Sequence, residues 1–156
     1  MIGEEREMVV KLVELELKTK KRNFPFLEPI HSSRDAGKFF QLMIGSKDRE
    51  FLTAIGLDVK GRVNYYEVIH IGTLSESLAH PREVFKTAIL TNSDSIILSH
   101  NHPSGNVTPS KQDRKVTQIL NDGGAMLGIN ILDHLIVSPT SYYSIREDRE
   151  FSNDEW

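Results

Sequence analysis

Ser95-Ile96-Ile97-Leu98-Ser99-His100-Asn101-His102-Pro103-Ser104-Gly105-Asn106-Val107-Thr108-Pro109-Ser110-Lys111-Gln112-Asp113 runs from an apolar segment, through a polar Pro/Gly-rich stretch, into a helix start. Ser95–Ser99 reads as a short buried strand, bounded by a loop from His100 to Pro109. Ser110 then caps a helix that carries Val116, Ile119 and Leu120 and that Gly123-Gly124 is expected to end. Ile129–Val137 follows as a second buried-type strand, and Tyr142–Ile145 as a short last one. Strand, loop, helix and strand in that order set a mixed α/β class.

The segments before this stretch extend the same pattern. Ser32-Ser33-Arg34-Asp35 starts a helix whose Ala36, Phe39, Phe40 and Met43 recur at helical spacing and stop at Gly45. Glu50–Leu57 and Arg62–Ile71 are strand-like, and Asp58-Val59-Lys60-Gly61 between them supplies hairpin chemistry. Pro81 opens another helix with His80 at its start. Further upstream, Met8–Leu17 alternates Val9, Val13, Leu15 and Leu17 with Glu14, Glu16 and Lys18, which favours a strand over a helix, although Met8, Leu12 and Leu15 also fit a helical stripe. The chain therefore divides into an N-terminal strand and lead-in (1–31), one α/β domain (32–148) and a polar, frayed tail (149–156).

Composition narrows the chemistry. The 156 residues suffice for one domain and can bury roughly two-thirds of the unfolded surface. No cysteine is present, which removes disulfides, thiolate metal sites and a cysteine nucleophile together, so a metal must be held by His, Asp or Glu. With 19 Lys+Arg against 22 Asp+Glu, the net charge of −3 offers no general cationic surface, and nucleic acid is not an expected partner. The local cluster Lys18, Lys20, Lys21 and Arg22 reads as a solvated strand end. The pairs Tyr65-Tyr66 and Tyr142-Tyr143 read as strand filling, since no basic groove accompanies them. No apolar run reaches membrane-spanning length and the N-terminus has no signal-peptide pattern, so a cytoplasmic protein is expected.

His100 and His102 are two apart, so in an extended chain both imidazoles point the same way. Pro103 and Pro109 restrict the loop that returns Asp113 to them. Two imidazoles and one carboxylate make a three-ligand zinc site, whose fourth position is left for water as in catalytic centres. Ser110-x-x-Asp113 alone is an ordinary capping pattern, and an isolated His-x-His is often a surface coincidence. Their combination between a strand and a helix favours the metal.

His100-x-His102-Pro103 followed by Ser110-x-x-Asp113 resembles the His-x-His-Pro-x6-Ser-x2-Asp pattern of the JAMM (MPN+, JAB) zinc metalloproteases. The wording His100-Asn101-His102-Pro103-Ser104-Gly105, with Gly72-Thr73-Leu74, His80-Pro81-Arg82-Glu83-Val84-Phe85-Lys86 and Leu132-Asp133-His134-Leu135-Ile136-Val137, resembles the RadC branch from about Ser32 to Arg146. Asn101 departs from the protease consensus, which has Ser or Thr there. The resemblance implies a short form without the helix-hairpin-helix region of larger RadC proteins. It implies a cytidine-deaminase-like, JAMM-type curled mixed sheet with helices on its faces, and one zinc ion per chain held by His100, His102 and Asp113.

It also implies that Ser110 helps stabilise a tetrahedral intermediate and that a distant Glu shuttles a proton from the attacking water to the leaving amine. Glu50, fifty positions before His100, is the expected shuttle, and Glu67 the alternative, otherwise a solvent-facing strand residue. Asp133 and His134, with Asn101, are candidates to orient a ligand, although a plain strand-edge pair fits Asp133-His134 equally. His31 and His70 receive no role. The expected activity is hydrolysis of a peptide or isopeptide bond in a protein or peptide substrate. A non-catalytic DNA-repair-associated accessory protein is the alternative, and an inactive scaffold a third, disfavoured because every ligand is present. Substrate identity and oligomeric state are not written in these residues.

Overall fold

The computed structural model describes residues 10–23, 29–75 and 78–155. Helix α1 spans Ser33–Ile44, strands β1 and β2 span Phe51–Leu57 and Val63–Ile71, and α2 spans Pro81–Leu90. Strand β3 (Ser95–Asn101), helix α3 (Lys111–Leu127) and strands β4 (Asn130–Val137), β5 (Ser141–Ser144) and β6 (Arg149–Ser152) follow, closed by a 3-10 turn at Asn153–Glu155. The six strands form one sheet in the order β2-β1-β3-β4-β5-β6. Every neighbouring pair is antiparallel except β3 and β4, which α3 connects as a crossover.

Alternation along the central strands builds two cores. Leu52, Ala54, Ile96 and Leu98 face Val84, Phe85 and Ala88 of α2 and Val116 and Leu120 of α3. Ile55, Leu57, Ile97, Leu135 and Val137 face Ala36, Phe39, Phe40 and Ile44 of α1. The sheet is thus covered on both sides, and β3 is buried along its whole length. The mixed α/β class stands. Ser32 caps α1 by accepting from the Asp35 amide, His80 caps α2 through Nδ1, and Asp58 holds the hairpin turn through the Lys60 and Arg62 amides.

Four expectations need correction. Residues 10–17 of the expected Met8–Leu17 strand are not in a strand: Val10, Leu12, Val13 and Leu15 are each more than 70% exposed. Alternation supplies a face, but a strand also needs a neighbouring ladder. Met8 and Val9 lie outside the described residues.

Gly123-Gly124 does not end α3, because both glycines serve close packing. A Cβ on Gly123 would lie 3.2 Å from Pro81, and one on Gly124 would lie 2.4 Å from the Ile129 carbonyl. The stop is Gly128, at φ 70°, with the Ile129 amide donating to Gly124 O and the Gly128 amide to Ala125 O.

Strand β3 runs two residues beyond Ser99, so the loop begins at His102. The 149–156 tail is not frayed over 149–155: β6 pairs with β5, and Phe151 stacks on Tyr142 with ring centroids 4.9 Å apart. Trp156 lies outside the described residues.

Candidate metal centre

His100 projects from the C-terminal end of β3 on the α3 side and is completely buried. His102 follows one turn of pleat later, just past the strand. Gly105 takes φ 82° and its amide donates to His102 O at 2.9 Å, a turn that needs the left-handed conformation glycine allows. That turn presents the Asn106 carbonyl to His102 Nδ1 at 2.7 Å. A carbonyl only accepts, so His102 carries its proton on Nδ1 and leaves Nε2 as a lone-pair donor.

Asp113 is in the first turn of α3 and is 3% exposed. A reciprocal capping box fixes it: the Asp113 amide donates to Ser110 Oγ at 3.0 Å, and the Ser110 amide to Asp113 Oδ2 at 2.7 Å. The capping and site readings of this pair are therefore compatible. The box orients the carboxylate so that Oδ1 lies 3.4 Å from His100 Nε2 and Oδ2 lies 3.4 Å from His102 Nε2. The two Nε2 atoms are 3.1 Å apart. Glu50 completes the group, with one ligand atom from each of the four residues within 4.8 Å of all the others.

These separations fit a shared cation. Donors about 2.0–2.1 Å from one ion in tetrahedral array stand roughly 3.3 Å from each other. Imidazole and carboxylate are ligands suited to a borderline divalent metal. Burial alone would raise the Asp113 carboxyl, but the His100 and His102 imidazoles beside it and the Ser110 amide outweigh it and hold the group well below the ordinary carboxylate range. The hydrogen bond with Asp113 in turn raises His102 above 6.5.

Glu50 sits immediately before β1. Its Oε1 accepts from the Leu74 amide at 3.1 Å, and its carbonyl accepts from the Gly72 amide at 2.8 Å. Asn101, fully buried, holds the same segment from the other side of β3. Its Oδ1 accepts from the Phe51 amide at 2.8 Å, and its Nδ2 donates to Arg49 O at 2.8 Å and Lys47 O at 3.3 Å. Asn101 thus positions the chain that carries Glu50 and does not face the cluster. Glu67 is opposite Ala54 on β2 and outside the cluster; it is half-buried, not solvent-facing, and its Oε2 has no hydrogen-bond partner.

The Asp133-His134 pair divides between the two faces of β4. Asp133 accepts from Ser144 Oγ at 2.5 Å and from the Arg146 and His134 amides, holding the turn after β5. Burial raises its carboxyl. His134, in contrast, reaches the cluster: its Nε2 is 2.8 Å from His100 Nδ1, and its Nδ1 is 2.6 Å from Thr117 Oγ1. Burial, with His100 alongside, pushes this imidazole well below its ordinary value, so the ring is neutral. Sequence reasoning passes over Thr117. Its signal is a hydroxyl four residues after Asp113, on the same face of α3.

The family model of the RadC-like JAB domain matches residues 30–150. The chain belongs to this family. The RadC-like JAB domain is 42% identical over 123 residues to the UPF0758 protein of Chlorobium phaeovibrioides, covering 79% of this chain and 55% of that one. It is 44% identical over 123 residues to the UPF0758 protein of Thermotoga maritima, with the same coverage. It is 49% identical over 100 residues to that of Methanococcoides burtonii, covering 64% of this chain and 44% of the relative. The chain spans about half the length of the curated relatives it matches. Among the described residues, no helix is long and apolar enough to cross a membrane.

Proposed function

We propose that this RadC-like JAB domain is a zinc-dependent hydrolase that cleaves a peptide or isopeptide bond. The observation that carries the reading is the convergence of His100 Nε2, His102 Nε2 and the Asp113 carboxylate, with Glu50 beside them. His100, His102 and Asp113 would hold the ion. When bound, zinc supplies Lewis acidity that makes water a nucleophile near neutral pH and polarises an amide carbonyl.

The chain's own residues supply the rest. The Leu74 amide fixes one oxygen of Glu50, and the other takes a proton from the attacking water and passes it to the leaving amine. Ser110 Oγ already accepts from the Asp113 amide, so its own proton remains to be donated to the carbonyl oxygen as charge develops there.

Two measurements test the reading. Metal analysis of the purified chain is expected to give one zinc per chain, lost in His102→Ala. Glu50→Gln is expected to keep the metal and lower amide hydrolysis by about 10²–10⁴-fold. Turnover unchanged in Glu50→Gln would remove the assigned proton shuttle.

A further inference from the structure

We infer that Thr117 and His134 form a positioning relay that locks His100 in the Nδ1–H tautomer and so aims its Nε2 lone pair at the metal centre. The inference deepens the metal-centre reading and rests on it.

The logic starts at the Asp113 backbone. Thr117 Oγ1 is 2.7 Å from Asp113 O, and a carbonyl can only accept, so the threonine hydroxyl donates there. A hydroxyl has one proton. Toward His134 Nδ1, 2.6 Å away, the oxygen must therefore accept, and His134 carries its proton on Nδ1. His134 is 1% exposed, the Asp133 carboxylate is engaged on the opposite face, and the ring's two hydrogen-bond partners are His100 and Thr117, so no carboxylate is hydrogen-bonded to the ring to hold a second proton there. Its Nε2 is then an acceptor, and the 2.8 Å contact obliges His100 Nδ1–H to donate. The remaining nitrogen of His100 is bare, and it is the one 3.1 Å from His102 Nε2 and 3.4 Å from Asp113 Oδ1.

The reverse proton order has a definite cost in contacts. Thr117 would have to abandon Asp113 O, His134 would donate through Nε2, and His100 would present an N–H to the cluster. That hydrogen would occupy the place a cation needs. One buried hydroxyl, one turn beyond a ligand on α3, therefore decides which nitrogen of His100 can bind metal. His102 reaches the same state in one step through Asn106 O, because it lies past the strand where a loop carbonyl is at hand. His100 lies inside the sheet, where the backbone carbonyls serve the ladder, so it uses a side chain on the next strand. Partners of this kind typically change metal affinity by about 10–100-fold.

The test is imidazole 15N NMR of the whole chain at mildly alkaline pH, with and without zinc, together with zinc competition against a chromophoric chelator. Wild type is expected to show His100 protonated at Nδ1 in both states. Thr117→Val is expected to mix the two tautomers of His100 in the metal-free protein and weaken zinc binding by about 10–100-fold. Thr117→Ser should restore both, which a merely structural role for the methyl group would not do.

Wild-type His100 protonated at Nε2 overturns the proposal, and so does Thr117→Val with unchanged tautomer and unchanged zinc affinity. If Thr117→Val does not fold, the wild-type spectrum alone decides the matter. A wild-type chain that shows the Nδ1–H tautomer but binds no zinc would sink the metal reading and leave the relay standing.

Discussion

At the scale of single residues, the cluster was readable because His-x-His on a strand and Ser-x-x-Asp at a helix start are local patterns with local geometry. What spacing could not give is partnership across the sheet. Adjacent residues in a strand face opposite ways, so Asp133 and His134 cannot serve one site, yet parity alone does not say which of them meets His100. Asn101 has the same parity argument, and its role appears only when three distant backbone groups close on it.

Asn101→Ala leaves the Phe51 amide and two carbonyls without this partner. It is expected to cost about 2–3 kcal/mol in denaturant unfolding. Hydrolysis should fall more than metal content does, because the segment that loosens carries Glu50. Equal loss of metal and turnover would place Asn101 in ligand support instead.

Protons should also compete with the metal. Asp113 raises His102 above 6.5, so in the metal-free protein His102 keeps a proton at a pH where an ordinary imidazole has shed most of its own. A metal must displace that proton. Apparent zinc affinity should therefore fall as pH drops from about 8 to about 6. Isothermal titration across that range checks it, and an affinity that does not change with pH would contradict the assignment of His102 as a ligand.

At the scale of elements, caps and turns were legible while some boundaries were not. Ser32, Ser110 and Pro81 begin helices as their chemistry dictates, and Asp58-Val59-Lys60-Gly61 makes the hairpin. Gly123-Gly124 misled because glycine ends a helix for one reason and sits inside one for another. At Gly128 the reason is backbone conformation; at Gly124 it is space.

The distinction predicts different outcomes for one substitution at neighbouring sites. Gly124→Ala drives a Cβ to 2.4 Å from the Ile129 carbonyl, a backbone atom, and against the Phe85 ring at 3.0 Å. It is expected to destabilise by about 1–3 kcal/mol. Gly123→Ala meets only Pro81 side-chain atoms at 3.2 Å and beyond and the Phe85 ring at 3.6 Å, and the gain in helix propensity, up to about 1 kcal/mol, offsets that crowding. Thermal melts of the two variants should rank them in that order. Equal midpoints would mean that the α2–α3 contact yields freely and that packing does not explain these glycines.

At the scale of the whole molecule, the sheet carries the site because β3 and β4 lie parallel at its centre and deliver His100 and His134 to the face that α3 covers. The stretch 10–23 takes no part in this. Its alternation was the strongest strand signal in the first quarter of the sequence, yet the side chains that make the pattern are largely in solvent, while Lys20 and Arg22 lie along Met43, Tyr66 and Val68 on the α1 side. Amphipathic periodicity reports what a segment can bury, and burial itself depends on a second surface that one sequence does not display.

If the α/β domain is self-sufficient, removing residues 1–23 should shift the melting midpoint by no more than about 3 °C, the displacement expected for roughly 1 kcal/mol in a domain of this size. Zinc content should be unchanged, since every donor lies between Glu50 and Asp113. Brief trypsin treatment should cut the intact chain within residues 10–23, at Lys11 and at Lys18–Arg22, and leave the α/β domain protected, because exposed backbone outside helices and strands is the first to be cut. A fall of ten degrees or more, or resistance to trypsin over that stretch, would show that the segment's apolar face is covered in solution and that the strand pattern has found its neighbour after all.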